Sequence, residues 1–305
     1  TYRLLPDLFS AFFGAGEGKS YSVGLSKAAI SVTKKTETGH METTYLDCGK
    51  GAPSGALINF YLAEAPADNT KLKLAFLDAN DKLIREFTPK PADYDKKDDK
   101  EKALDPGPWL PTKAGVNRFV WDMRYPGATK VPGNKTAGES LIGPLVTPGT
   151  YQVQLTVGDQ TRTATFEVVN DLRVTTSQAD LEAQLALLLR IRDKLSDAHR
   201  GINLLRDVAA QAKGWGTRMA KKSNGATIVE ATNALVAKLD AIEDALIVPG
   251  PHDDTFGLNV RVRLNTKLAS LISIAGSADR APTQQAHDLA AQYSDQIDVQ
   301  LSQLQ

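Results

Sequence analysis

The 305-residue chain balances 36 Lys plus Arg against 36 Asp plus Glu, so no global field recruits nucleic acid or an anionic membrane surface. Its one cysteine, Cys48, excludes an intrachain disulfide, and His40, His199, His252 and His287 are too scattered for metal-ligand spacing. The longest apolar run, Leu185 to Leu189, is far short of the roughly 20 residues that membrane insertion needs, and the length suits two domains of about 100–200 residues.

Residues 1–50 mix apolar, Gly and Ser/Thr positions without a sustained period and read as an extended segment. The pairs Leu4-Leu5, Leu8-Phe9 and Phe12-Phe13 need a cover, which is expected on an upstream domain or a partner chain. Gly14-Ala15-Gly16-Glu17-Gly18-Lys19-Ser20 approaches a phosphate loop but is one residue short, with Phe13 where the first glycine belongs. The strand-like Tyr21-Ser22-Val23 that follows offers no helix N-terminus to a phosphate, so no nucleotide is expected.

From Gly51 the period becomes two. Strands are expected at Ala56 to Leu62, at Leu72, Leu74 and Phe76, and at Ile84 and Phe87 in a partner strand ending at Pro89. Asp78-Ala79-Asn80-Asp81-Lys82 lacks the glycine and distal Glu of a calcium loop and reads as a hairpin turn. Residues 89–112, rich in Pro and charge, read as a solvated loop. Gly115 to Tyr125 reads as a core strand with Phe119, Trp121 and Met123 on one face and Arg118, Val120, Asp122 and Arg124 on the other. A second open stretch, Pro126 to Pro148, precedes a hairpin with Tyr151, Val153, Leu155 and Val157 on one strand and Ala164, Phe166 and Val168 on the next. Six or seven short strands at this spacing predict an immunoglobulin-like or fibronectin type III-like β-sandwich over residues 51–172.

At Ser177 the period turns helical. Leu181, Leu188, Leu195, Ile202 and Ala209 recur every seven residues, and Gly214-Trp215-Gly216 and Ser223-Asn224-Gly225 are expected to end that helix. Helices from Ile228 to Val248, from about Leu258 to Ile274, and onward from Thr283 complete an antiparallel four-helix bundle over residues 173–305. The chain opens without methionine and stops at Gln305 within this last helical pattern, as a processed piece of a larger protein would.

Catalytic signatures are sparse. There is no GxSxG elbow and no HExxH, and the acids fall mainly in Asp93 to Glu101 and on polar helix faces, so neither a catalytic site nor a cofactor is expected. Three aromatics are candidate ligand or partner contacts. Trp109 and Tyr125 flank the two long loops, where each would either stack on a sugar, anchor a protein, or close the end of the β core. Trp215 lies among Lys213, Arg218, Lys221 and Lys222, as a surface contact or as an inter-helix corner. Asn134-Lys135-Thr136 is a glycosylation sequon.

Several motifs in series resemble one family. They are Ala52 to Leu62 (APSGALINFYL), Ala114 to Gly127 (AGVNRFVWDMRYPG), Pro148-Gly149-Thr150-Tyr151, Leu181-Glu182-Ala183-Gln184 with Arg190-Ile191-Arg192-Asp193, and Ala278 to Thr283 (ADRAPT). The series resembles the C-terminal region of secreted bacterial proteins that open with a sortilin-type, Asp-box (BNR-like) repeat β-propeller and are often labelled glycosyl hydrolases. The resemblance covers about residues 51–305 and implies an extracellular or periplasmic location with an upstream β-propeller domain or processed partner chain. It implies a non-catalytic binding or assembly module. The alternative is a carbohydrate-binding accessory domain of a secreted glycoside-active enzyme, with a glycan as ligand.

Overall fold

The computed structural model describes residues 31–35, 41–45, 55–67, 70–105, 107–133, 141–248 and 261–304. The phosphate-loop-like stretch, the sequon, Cys48, His40 and His252 lie outside them, as does most of the N-terminal segment. Two compact units are formed, residues 1–125 with 145–175 and residues 126–144 with 176–305.

In the first unit, β1 (Ser31–Lys35) and β2 (Met41–Tyr45) pair antiparallel. Among the described residues β3 (Ala56–Leu62) pairs only with β6 (Gly115–Trp121), and β4 (Leu72–Leu77), β5 (Leu83–Phe87), β7 (Gly149–Val157) and β8 (Gln160–Val168) form a sheet ordered β5-β4-β7-β8. Ile58 and Phe60 of β3, Phe119 and Trp121 of β6, and Leu74, Phe76, Val153, Leu155 and Phe166 of the larger sheet share one core. The alternation read from the sequence therefore holds at Phe119 and Trp121, both buried, with Arg118 exposed just before them and Val120 half-buried between them. It stops there: Met123 is buried but has φ 55°, so the chain has already turned out of the strand.

The Asp78 turn is a hairpin connection. Its carboxylate accepts from the backbone N–H of Asn80 (2.8 Å) and Lys82 (3.0 Å), and Asp81 takes a φ of 61°. Residues 89–112 are more ordered than a loop. They hold a 3₁₀ turn at Tyr94–Lys96 and a short helix, α1 (Asp99–Leu104), started by a reciprocal cap in which Glu101 N–H donates to Asp98 (2.8 Å) and Asp98 N–H to Glu101 (3.2 Å). Local capping, which leaves no apolar period, makes this helix.

Gly55 begins β3 with φ 131°, and a Cβ there would collide with the Trp121 carbonyl. Gly55→Ala should therefore separate the start of β3 from the end of β6 and cost about 1–3 kcal/mol in denaturant unfolding, through strain and overpacking together.

The helical unit consists of α2 (Gln178–Met219), α3 (Ala226–Leu246), α4 (Leu264–Ala275) and α5 (Gln284–Ser302). Ser177 caps α2 by accepting from Asp180 N–H at 3.2 Å, and the expected heptad residues Leu181, Leu188, Leu195, Ile202 and Ala209 are buried along it. α2 does not end at Gly214-Trp215-Gly216. A Cβ on Gly216 would lie 2.8 Å from Thr232 Oγ1 of α3, so this glycine serves close helix packing, and 42 residues run through it.

The expected fold class, an immunoglobulin-like β-sandwich followed by an antiparallel four-helix bundle, is overturned. Among the described residues the strands divide two, two and four, with β1 and β2 in one sheet and β3 and β6 in another, where the immunoglobulin arrangement needs three or four strands in each of two sheets. The helices do not alternate in direction either. α3 runs against α2, with Arg206 on Glu243 (2.8 Å) and Gly216 on Thr232. α4 also runs against α2: its first residues lie by Asp244 through Arg263, and its end lies by Gln184 and Leu188. α5 then returns parallel to α2, from His287 beside Arg190, past Asp298 on Lys194 (2.7 Å), to Leu301 over Gly201. One long helix is thus the axis, with α3 on its C-terminal half and α4 and α5 on its N-terminal half.

Candidate binding surface

The β3–β6 pair has one face in the core and one outside. Register sets Leu57 opposite Val120, Asn59 opposite Arg118, and Tyr61 opposite Val116, and the pleat sends all six outward. Arg118 Nε donates to Asn59 Oδ1 at 3.2 Å, so the centre of the face is a fixed polar pair with apolar pairs on both sides. Tyr61 is 52 % exposed and Val116 77 %. Outward strand positions facing water are normally polar, and here four of six are apolar. Neither strand has a further ladder partner among the described residues. Between this ribbon and the larger sheet, Ile58, Phe60, Leu155, Arg162 and Ala164 line a cavity of about 30 Å³, room for one water or a methyl-sized group.

The three aromatics singled out in the sequence are divided between the two units. Trp109 is half-buried, edge-to-face against Tyr94 with ring centres 5.3 Å apart, and Tyr94 donates to the Lys102 carbonyl at 3.3 Å. This contact ties Trp109 to the segment that carries α1. Tyr125 is half-buried against the β core. Trp215 belongs to the other unit, at 57 % exposure, with the Arg218 guanidinium 4.5 Å above its ring. Tyr61 and Val116, the most exposed pair on the ribbon, were not candidates from sequence; the signal was the apolar character of both alternating faces of ALINFYL and GVNRFVW.

A second set of residues missed in the sequence lies on α2. Arg192, Ser196, His199, Asn203 and Arg206, at successive spacings of four and three, share one helix face. They bind the backbone of a strap, residues 126–133, that belongs to the helical unit. Arg192 donates to the Pro126 carbonyl (2.8 Å), Ser196 accepts from Thr129 N–H (3.1 Å), Asn203 donates to the Lys130 carbonyl (3.0 Å), and Arg206 to that of Pro132 (3.1 Å). His199 Nδ1 lies 2.6 Å from the Thr129 carbonyl and must carry the proton, because a carbonyl only accepts. Ala128 and Val131 of the strap enter the helical core. Burial holds the His199 imidazole below its ordinary pKa, with the Thr129 hydrogen bond opposing in part.

Among the described residues no group of three or more His, Cys, Asp or Glu is placed to hold a metal ion, and no helix is long and apolar enough to cross a membrane. Asp122 accepts from Arg124 N–H (3.2 Å) and pairs with Arg85 (3.3 Å) at the surface. Asp122→Ala should accordingly lower stability by less than about 1 kcal/mol, as measured by urea unfolding. Compared with known proteins, the chain matches no family model, no curated protein and no solved structure.

Proposed function

We propose that this chain is a non-catalytic binding and assembly module of an exported β-propeller protein, and that the outer face of the β3–β6 ribbon is its docking surface. The observation that carries this reading is the exposed Tyr61–Val116 pair beside the fixed Asn59–Arg118 pair, an apolar patch with a polar centre on a two-stranded sheet. Tyr supplies large contact area at low entropic cost and brings a hydroxyl for the rim. The occupant is the propeller, supplied by the same polypeptide or as a processed chain. That choice rests on the motif series from Ala52 to Thr283.

A photoreactive side chain introduced at Tyr61 or Val116 of the full native polypeptide tests it. Adducts to Asp-box peptides, absent when the same group is placed at exposed Gln160, are expected. Adducts at neither position, with the protein folded, would remove the surface from consideration. Glycan binding lost on Trp109→Ala or Tyr125→Ala would replace the assembly reading with the carbohydrate one.

A further inference from the structure

α2 presents three faces. One is the core face of Leu195, Ile202, Leu205 and Ala209, and a second grips the strap. The third is covered along Arg190, Lys194 and Gly201 by α5, whose last turn sets Leu301 and Leu304 against the helix. α5 ends at Ser302, level with Gly201, and α2 continues for a further 18 residues to Met219. On that extension Leu204, Val208, Trp215 and Met219 fall within about 60° of one another at about 100° per residue, in line with the α5 contact. Leu204 is 57 % exposed, Val208 36 % and Trp215 57 %. A helix face that is apolar, exposed and collinear with an existing helix contact is an interrupted packing seam.

Charge narrows what fits. Residues 208–225 contain Lys213, Arg218, Lys221 and Lys222 and no carboxylate, in a chain whose overall charge is balanced. Lys213 reaches only to Asp240, at 4.0 Å. Arg218 stacks over Trp215 and so pins the indole before any partner arrives, reducing the side-chain entropy that binding would otherwise consume. At the tip, Met219, Lys222, Val229, Glu230 and Asn233 line an open cleft of about 500 Å³. The seam from Leu204 to Met219, which no described element covers, is about 22 Å long at 1.5 Å per residue, the length of a four-turn helix.

We propose that this seam docks an amphipathic α-helix of a partner protein, laid on α2 in line with α5, with its apolar stripe on Leu204, Val208 and Trp215 and its acidic end on Arg218 and Lys222. The α2–α5 contact already shows the pattern, since Asp298 of α5 meets Lys194 of α2 at 2.7 Å beside apolar packing. This inference is independent of the ribbon face, which lies in the other unit.

The test uses the full chain and a fluorescent helix-forming peptide of about 16 residues, with Leu at i, i+3, i+4, i+7 and i+11 and Glu at its distal end, read by anisotropy. Its controls are the same peptide with Lys for Glu and a scrambled peptide. The Glu peptide should bind with protection of residues 204–219 from amide exchange, and weaken about tenfold or more with Trp215→Glu or Leu204→Glu. Arg218→Glu with Lys222→Glu should invert the preference toward the Lys peptide. Equal binding of all three peptides, no binding, or binding indifferent to Trp215→Glu overturns the proposal. Self-association that Trp215→Glu abolishes would assign the seam to a second copy instead. Sedimentation with phosphatidylglycerol vesicles but no peptide binding would assign it to a lipid surface. Both substitutions sit at exposed positions, and unchanged helical circular dichroism confirms that the variants are folded.

Discussion

Trp121→Ala should lower the stability of the β unit by about 3–5 kcal/mol, the range for emptying a buried aromatic site. Trp121 is the largest fully buried side chain among the described residues. The indole stacks on Phe76 with centroids 4.1 Å apart at 21°, and meets Tyr151 and Phe166 edge-on at 6.3 and 6.2 Å. It links the two sheets, because Phe76 and Tyr151 belong to the four-stranded sheet and Trp121 to the ribbon. Its Nε1–H donates to the Arg124 carbonyl at 3.2 Å, at the place where the strand gives way to the turn containing Met123. Truncation would thus remove ring contacts and leave that carbonyl without its donor.

Trp121→Phe separates the two contributions. Phenylalanine keeps a ring against Phe76 and loses the donor, so its loss should be nearer 1–2 kcal/mol, roughly the cost of one unmet buried hydrogen bond plus a small volume deficit. Native-state amide exchange gives a local reading, with protection falling in β4, β6 and β7 and unchanged in α2. A loss below about 1 kcal/mol for Trp121→Ala would show that the ribbon does not depend on this contact for its place on the core.

Much of the local structure could be read from the residues, and the assembly could not. Period-two stretches identify β3, β6, β7 and β8 because each buries mainly one face, and Ser177 with Asp180 identifies the start of α2 because capping is a local hydrogen bond. Strand pairing is different. Nothing in ALINFYL or GVNRFVW says that these two strands pair only with each other, since that is a matter of which edges meet across about 60 residues of chain. The direction of α4 was equally hidden, because an apolar period is the same read along either direction of the axis. Gly216 does not end α2; a glycine that admits a neighbouring helix looks in sequence like one that ends its own.

The candidate surfaces divide the same way. Trp109 stood out as a rare aromatic beside a loop, but it is half-buried and packed edge-to-face with Tyr94. Tyr61 and Val116 are ordinary strand residues whose exposure depends on which face the core takes. The strap could not be read at all. Residues 126–133 carry no period, and the polar stripe from Arg192 to Arg206 looks like a solvated helix face until the backbone it binds is in view.

His199 at the centre of that stripe supports the second large effect. His199→Ala should destabilise the helical unit by about 2–4 kcal/mol, because it leaves a cavity and strips the Thr129 carbonyl of its donor in a buried setting. His199→Gln, which can still offer an N–H to that carbonyl, should lose less. The wild-type protein should also show a pH dependence that both variants lack. With Nδ1–H committed to Thr129, protonation must occur at Nε2, which is buried and has no hydrogen-bond partner among the described residues. The folded state therefore resists the charge, and its imidazole pKa lies below the unfolded value of about 6.5. Between the two values the unfolded chain binds more protons than the folded one, so stability increases with pH. The contribution is intact above about pH 6.5 and is lost as pH falls toward the folded value, a window that opens before most carboxylates begin to protonate. Urea midpoints from pH 7.5 down to about 5, followed by amide exchange in α2, should decline in the wild type and stay flatter in His199→Gln. Parallel curves for the two proteins would mean that the imidazole keeps its ordinary pKa when folded and that the strap is held without it.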